Sequence, residues 1–281
     1  MENKSLQVSI DSVKFNNCTG CLSCVAVCPR NAISFQYNNE GFWFPEICTD
    51  ICINCGKCYR CCPEITPQHK NTSRKNYIVQ HKDKSVVENS ASGGAFYGFA
   101  QYIITQGGSV YGCVLNEQMM PIHICIEDEN KIAKMQGSKY VQSYISDQIY
   151  QMIKLKLETD NMVLFSGTPC QIAGLYAFLG RDFPKLFTVG LICHGVASPG
   201  LYKHYIAKKE KEIGEKVLDV QFRSRKVGKY PENHSLRIMT EHEEYCRHGA
   251  DDPYASCFII IVSFAKVVIP ANIQRRIVLK I

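Results

Sequence analysis

The pattern Cys18-x2-Cys21-x2-Cys24-x3-Cys28-Pro29 recurs 34 residues later as Cys52-x2-Cys55-x2-Cys58-x3-Cys62-Pro63. Few arrangements constrain a short segment so tightly. Three cysteines at x2 intervals wrap one face of a four-iron cube in a tight loop. The fourth, ahead of proline, points away to the other cube. The spacing therefore predicts two crosswise 4Fe–4S ligand sets. Cys18, Cys21, Cys24 and Cys62 form the first, and Cys52, Cys55, Cys58 and Cys28 the second. Pro29 and Pro63 fix the turn after each fourth ligand. Gly20 and Gly56 let the backbone come close to the sulfides. Structural zinc is the competing reading, but zinc sites use CxxC pairs across a longer gap.

This run is of the bacterial ferredoxin type. Cys48 and Cys61 are surplus to it and read as small buried apolar residues, with Cys61 open to confusion with Cys62 as a ligand. Residues 32–45 read as a hairpin turning at Asn38–Gly41, with Trp43 packing on the cluster loops. Ten of the 16 cysteines lie between Cys18 and Cys62. A chain of 281 residues can bury a core without disulfides, so these thiols read as metal ligands in a reducing compartment. The N-terminus carries no secretory pattern, and no run reaches the roughly 18 apolar residues of a membrane helix. A cytoplasmic protein without an integral membrane span is expected. Residues 1–70 carry no net charge, so the formal +6 lies in residues 71–281 without a basic tract of nucleic-acid type.

Residues 64–75 are polar and aperiodic and read as a linker. A strand is expected at 76–80. The turn Ser92-Gly93-Gly94 precedes an apolar helix and could present backbone N–H groups to a phosphate, although an ordinary N-cap reads the same way. Strands at 109–115 and 122–126, a helix at 147–157, a strand at 161–165, a helix to Leu179, a strand at 186–192 and a helix at 200–213 follow. That alternation predicts a largely parallel sheet with ligand-binding loops at its C-terminal edge. Thr168-Pro169-Cys170-Gln171 and Cys193-His194 fall on that edge. A helix N-terminus beside Cys170 would lower its thiol pKa. Cys170 and Cys193 read as further cluster ligands or redox thiols, or as plain pocket lining.

Taken in order, the double cysteine run, Ser-Gly-Gly-Ala-Phe (92–96), Gly-Ser-Lys-Tyr-Val-Gln-Ser (137–143), Gly-Thr-Pro-Cys-Gln-Ile-Ala-Gly-Leu (167–175), Cys-His-Gly-Val-Ala-Ser-Pro (193–199) and Phe-Arg-Ser-Arg (222–225) resemble the coenzyme F420 hydrogenase/dehydrogenase beta subunit family. The resemblance runs from about Cys18 to Cys257. It implies an FAD-dependent iron–sulfur oxidoreductase. The implied fold is an α+β two-cluster ferredoxin domain (1–68), a linker (69–75) and an α/β flavin-binding domain with a mainly parallel or mixed sheet (76–257). Ser92, Gly93 and Gly94 would cradle the FAD pyrophosphate. Lys139, Tyr140, Val141, Gln142 and Ser143 would line the flavin, with Lys139 near its N1. Thr168, Pro169, Cys170 and Gln171 would sit by the ring or a nearby cluster. Cys170, Cys193 and His194 are the candidate catalytic residues, and Arg223 and Arg225 candidates for an anionic tail.

The implied partners are a ferredoxin or hydrogenase/dehydrogenase subunits and a small-molecule acceptor, coenzyme F420 or another conjugated compound. A non-catalytic electron-transfer subunit of a larger redox or polysaccharide-biosynthesis system is the alternative. Residues 258–281 contain no Asp, Glu or Gly and depart from the family's pattern. They read as a changed frame, a truncation or a damaged, inactive copy, with a partner- or membrane-surface segment as runner-up.

Overall fold

The computed structural model describes residues 10, 18–66, 77–193, 195–224, 235–248 and 251–254. The segment 67–76, His194, Arg225, Cys257 and the atypical tail lie outside the described residues.

The cysteine repeat is a repeat in three dimensions. Helix α1 (Ser23–Ala26) and helix α2 (Lys57–Arg60) begin and end 34 residues apart. Positive φ angles recur at the same offset, at Gly20 (64°) and Asn54 (52°), then at Leu22 (69°) and Gly56 (68°). In this left-handed region Gly56 is at ease, while Leu22 carries strain that its buried side chain must offset. Between the halves lies the expected hairpin, β1 (Ile33–Tyr37) against β2 (Trp43–Ile47). Asn38 Oδ1 closes its turn by accepting from the amides of Glu40 and Phe42, both at 2.9 Å.

The larger unit starts with α3 (Lys84–Glu88) and α4 (Ala95–Thr105). Strands β3 (Ser109–Leu115) and β4 (Pro121–Ile126) follow, then a 3-10 helix (Glu129–Met135) and α5 (Asp147–Glu158). β5 (Val163–Gly167), α6 (Pro169–Leu179), β6 (Leu186–Gly190) and α7 (Pro199–Ile213) complete the alternation. The sheet order is β4-β3-β5-β6. β3, β5 and β6 run parallel, whereas β4 pairs antiparallel with β3. The sheet is therefore mixed: the short 116–120 connection makes a hairpin, and a parallel crossover needs a dozen residues or more. α6 and α7 each start with proline at N1 and end on a left-handed glycine, Gly180 or Gly214.

Two expectations need correction. Residues 77–80 form no strand; they run as coil, held where the His81 amide donates to Gly93 O. A second sheet, β7 (Asp219–Ser224), β8 (Ser235–Met239) and β9 (Glu244–His248), is antiparallel and unforeseen. β7 alternates strictly, with Val220, Phe222 and Ser224 inward, whereas β9 is mostly polar; the sheet packs on a core shared with Tyr202, Tyr205 and Ile206 of α7. Asp252, fully buried, accepts from the hydroxyls of Tyr205 (2.7 Å) and Tyr245 (2.9 Å) and ties the chain beyond β9 to that core. Among the described residues no helix is long and apolar enough to cross a membrane.

Candidate functional site

The second cysteine set lines one pocket. Cys28, Cys52, Cys55 and Cys58 all border it, with Ile33 and Ile47 as apolar floor, around about 380 Å³ of empty space that includes its open mouth. The hairpin brings Cys28 there from the other half of the repeat, as the spacing predicts. The Ala32 amide donates to Cys28 Sγ at 3.3 Å. Burial pushes the Cys58 thiol up, and the neighbouring Cys28 and Cys52 push it further.

The first set is more enclosed. Cys21, Cys24 and Cys62 are buried and Cys18 is half-buried. Burial pushes Cys18 up to about 12, with Cys21 and Cys62 adding to the rise. Cys62 is pushed up to about 11, again by burial first. Cys24 rises for the same reason, and Cys21, Cys61, Cys18 and Cys62 all act on it. Cys62 thus stands close enough to Cys18 and Cys24 to act on both, the neighbourhood that the crosswise pairing expects. Bare thiols here resist ionising; the positive core of an iron–sulfur cluster is the charge that would make them thiolates. Both four-thiol sets therefore fit the group their spacing implies. Among the described residues no three His, Cys, Asp or Glu side chains close round a single metal ion.

Of the two surplus thiols, Cys61 is buried as expected, with Sγ 3.4 Å from Cys58 O. Cys48, which follows the last residue of β2, is exposed, contrary to expectation.

The repeat is seated directly on α5 and α6. Tyr150 OH donates to Cys21 O, and Gln151 Nε2 donates to Ala26 O at 2.8 Å. Leu22 and Ala26 join the core formed by Tyr150, Ile153, Ile172 and Leu175. Gln142 Oε1 accepts from the Trp43 amide at 2.8 Å, and a Cβ at Gly20 would collide with Gln142 Nε2. Gly20 is thus required by this seam as well as by its own φ. Trp43 stacks on Tyr37 at 4.1 Å and tilts against Tyr144 at 5.6 Å, so it faces the larger unit as well as its own hairpin.

Across the seam lies the C-terminal edge of the parallel strands. Thr168 caps α6 in a capping box with Gln171. Cys170 lies in the first turn, its Sγ 3.1 Å from Thr168 Oγ1. Its thiol is pushed up to about 12, by burial first, with Cys193 and Cys21 adding to it. The expected lowering by the helix N-terminus is therefore overturned: loss of water outweighs half a unit of dipole charge. Cys193 is raised by burial too, and its thiol points toward Gly195 O at 3.6 Å. His194 lies outside the described residues.

Several residues expected to line a flavin are occupied by the chain itself. Gln171 Nε2 donates to Ser143 Oγ at 2.8 Å. Ser143 in turn lies 3.2 Å from His123 Nδ1, and His123 Nε2 lies 3.1 Å from Ser166 O. Since Ser166 O can only accept, Nε2 carries the proton and Nδ1 accepts from Ser143. Burial pulls His123 down to about 4, which keeps it neutral. His123 was not singled out from sequence; its only signal is a polar residue on a strand's inward face.

Lys139 Nζ donates to the carbonyls of Gln136 (2.8 Å), Gly137 (3.2 Å) and Lys134 (3.4 Å). Burial lowers its pKa, while Cys113 and Asp219 oppose that shift. Tyr140 O accepts from Tyr254 OH at 3.1 Å, and its ring meets Phe222 edge-on. Gly94, at φ 79°, opens α4, and Gly93 packs against Val79 O. Helix α4 ends where Gly108 meets Met162 O and β3 begins, and it packs on β3 and β5. Ser92–Gly94 therefore lies at the same sheet edge as Thr168–Gln171. Arg223 sits half-buried in β7.

Residues 160–257 match the family model for the C terminus of the coenzyme F420 hydrogenase/dehydrogenase beta subunit. Residues 12–34 and 49–72 each match a 4Fe–4S binding domain. The chain is 25% identical over 201 residues to the uncharacterized protein MJ1349 of Methanocaldococcus jannaschii, covering 59% of this chain and 54% of that relative. It thus spans about half the length of that protein. Over 50 residues it is 38% identical to ketoisovalerate oxidoreductase subunit VorC of Methanothermobacter marburgensis, covering 17% of this chain and 63% of that relative. A protein of the F420-reducing NiFe hydrogenase complex from Methanosarcina barkeri superposes with a TM-score of 0.42 at 18% identity, over 64% of each chain. Residues 160–257, which hold Cys170 and Cys193 at the sheet edge, are thus similar to the C-terminal part of coenzyme F420 hydrogenase/dehydrogenase beta subunits, and two matches to 4Fe–4S binding domains precede them.

Proposed function

We propose that the chain is an iron–sulfur oxidoreductase that passes electrons between a redox partner protein and an organic acceptor. Two 4Fe–4S clusters sit in residues 1–68, and an FAD lies against the edge formed by 92–94 and 168–171. The observation that carries this is the convergence of four thiols, Cys28, Cys52, Cys55 and Cys58, on one pocket. The seating of Cys21 against α5 and α6, with Cys170 in its electrostatic reach, supports a continuous route from cluster loops to sheet edge.

A flavin bound there would exchange single electrons with iron–sulfur centres and electron pairs with the acceptor. Ser92–Gly94 fits a pyrophosphate cradle, since Gly94 opens an eleven-residue helix at that edge. Lys139, Gln142, Ser143 and Gln171 do not fit as direct ligands, because their polar atoms serve the protein. Their role is to hold the 137–143 segment and the start of α6 in place. Cys170 and Cys193, both half-buried, line the edge beside that site. Coenzyme F420 or another flat conjugated compound is the acceptor class, and the cytoplasm the compartment.

The test is anaerobic reconstitution followed by iron, sulfide and flavin analysis. About eight irons and one FAD per chain are expected. Clusters without flavin would favour the second reading, an electron-transfer subunit without its own chemistry, which the likeness of a 50-residue stretch to an oxidoreductase subunit supports.

A further inference from the structure

The two thiol sets differ in what surrounds them. Cys55 of the second set is exposed, and beside it Ile51 and Ile53 are 43% and 59% exposed. The charged side chains that line its pocket, Arg30 and Lys57, are both basic and both exposed. In the first set, Cys21, Cys24 and Cys62 are buried. Cys21 is walled in by Gly174 of α6 and by Tyr150 of α5, on the side that leads to Cys170.

We propose that the second set is the port through which single electrons enter or leave the chain, by contact with an acidic one-electron carrier protein. The first set is the inner relay that faces the sheet edge. This rests on the reading of both sets as 4Fe–4S sites. Electron exchange between proteins falls off steeply with distance, so a centre at the surface exchanges with a docked carrier far faster than an enclosed one. Ile51 and Ile53 offer the carrier apolar contact. Arg30 and Lys57 offset the negative charge of a bound cluster, and Arg60, exposed and donating to Cys55 O at 3.0 Å, adds positive charge that attracts an acidic surface. The exchange is one electron per encounter, with the carrier oxidised as the second centre is reduced, or the reverse; no bond forms or breaks.

The test uses the reconstituted full-length chain and needs no variant at first. Iron is withdrawn with a ferrous chelator while iodoacetamide labels each freed thiol, and labelled peptides are mapped over time. Cys52, Cys55 and Cys58 are expected to label with the first wave of iron loss, while Cys18, Cys21 and Cys24 stay protected. The opposite order, or one common wave, overturns the proposal. Rapid mixing with reduced plant-type ferredoxin, an acidic one-electron carrier, then reads the path. Cys55→Ser is expected to lose the fast reduction phase of the remaining cluster. Lys57→Glu is expected to slow wild-type-like reduction at unchanged iron content. A fast phase that survives Cys55→Ser overturns the port, and a rate indifferent to Lys57→Glu overturns the acidic carrier. A chain that takes up no iron removes the underlying reading and this inference with it.

Discussion

A Cβ added at Gly174 would stand 2.9 Å from Cys21 Sγ. Helix α6, which opens at the sheet edge, therefore lies directly against a thiol of the N-terminal repeat. In an ordinary helix interior, Gly→Ala would gain about 1 kcal/mol. Here overpacking costs about 1–3 kcal/mol, and both contacting atoms belong to a short side chain that cannot swing away. Gly174→Ala is expected to lower stability by about 1 kcal/mol and to reduce iron loading of the first set. Denaturant melts and iron analysis read the two effects; an unchanged melt would contradict the close packing.

Gln142 joins the two units through its side chain. Gln142→Ala leaves the Trp43 amide without its acceptor, which costs about 1–3 kcal/mol at a buried position. The expected result is a lower unfolding midpoint, together with a change in Trp43 fluorescence, the chain's single tryptophan. A fluorescence spectrum identical to that of the parent would argue against the contact.

His123 sets a pH dependence. Its folded pKa is about 4, below the ordinary value of 6.5, because burial disfavours the charged ring. As pH falls below 6.5 the unfolded chain takes up this proton first. Stability from this site is therefore complete above 6.5 and is lost progressively down to about 4. The shift corresponds to roughly 3 kcal/mol at most. His123→Gln should shrink the stability difference between pH 7 and pH 4.5. An equally steep dependence in the variant would assign it to other groups.

Cys61 and Cys62 are neighbours with different expected roles. Cys62→Ala should cost about four irons per chain, whereas Cys61→Ala should leave the iron content intact. Equal losses would mean that the two thiols share the ligand position.

The Cys170 thiol, pushed up to about 12, is scarce as thiolate at pH 8. Iodoacetamide should label exposed Cys48 quickly and half-buried Cys170 far more slowly in the native protein. Simultaneous labelling in the native protein would contradict its burial.

The ligand sets, the hairpin, α4 to α7 and the βαβ alternation follow from local rules. Metal-loop spacing, turn residues, N1 prolines and hydrophobic periodicity act within a few residues of chain. The second sheet escaped that reading because its strands gain their stability from α7, far away in sequence. The same holds for the edge residues. The resemblance placed Ser143 in one flavin-lining segment and Gln171 in a separate loop, but their polar atoms close a network with His123 that no spacing announces. Sequence also assigned Cys170 a lowered pKa from its place at a helix start. Burial in the folded chain, with Cys193 and Cys21 near it, pushes that thiol the other way. Sequence alone marked the thiols whose spacing suits iron, because ligand spacing is a local property. Tertiary structure decided which set faces solvent and which faces the sheet edge, because Cys21 meets Tyr150 and Gly174, far away in sequence.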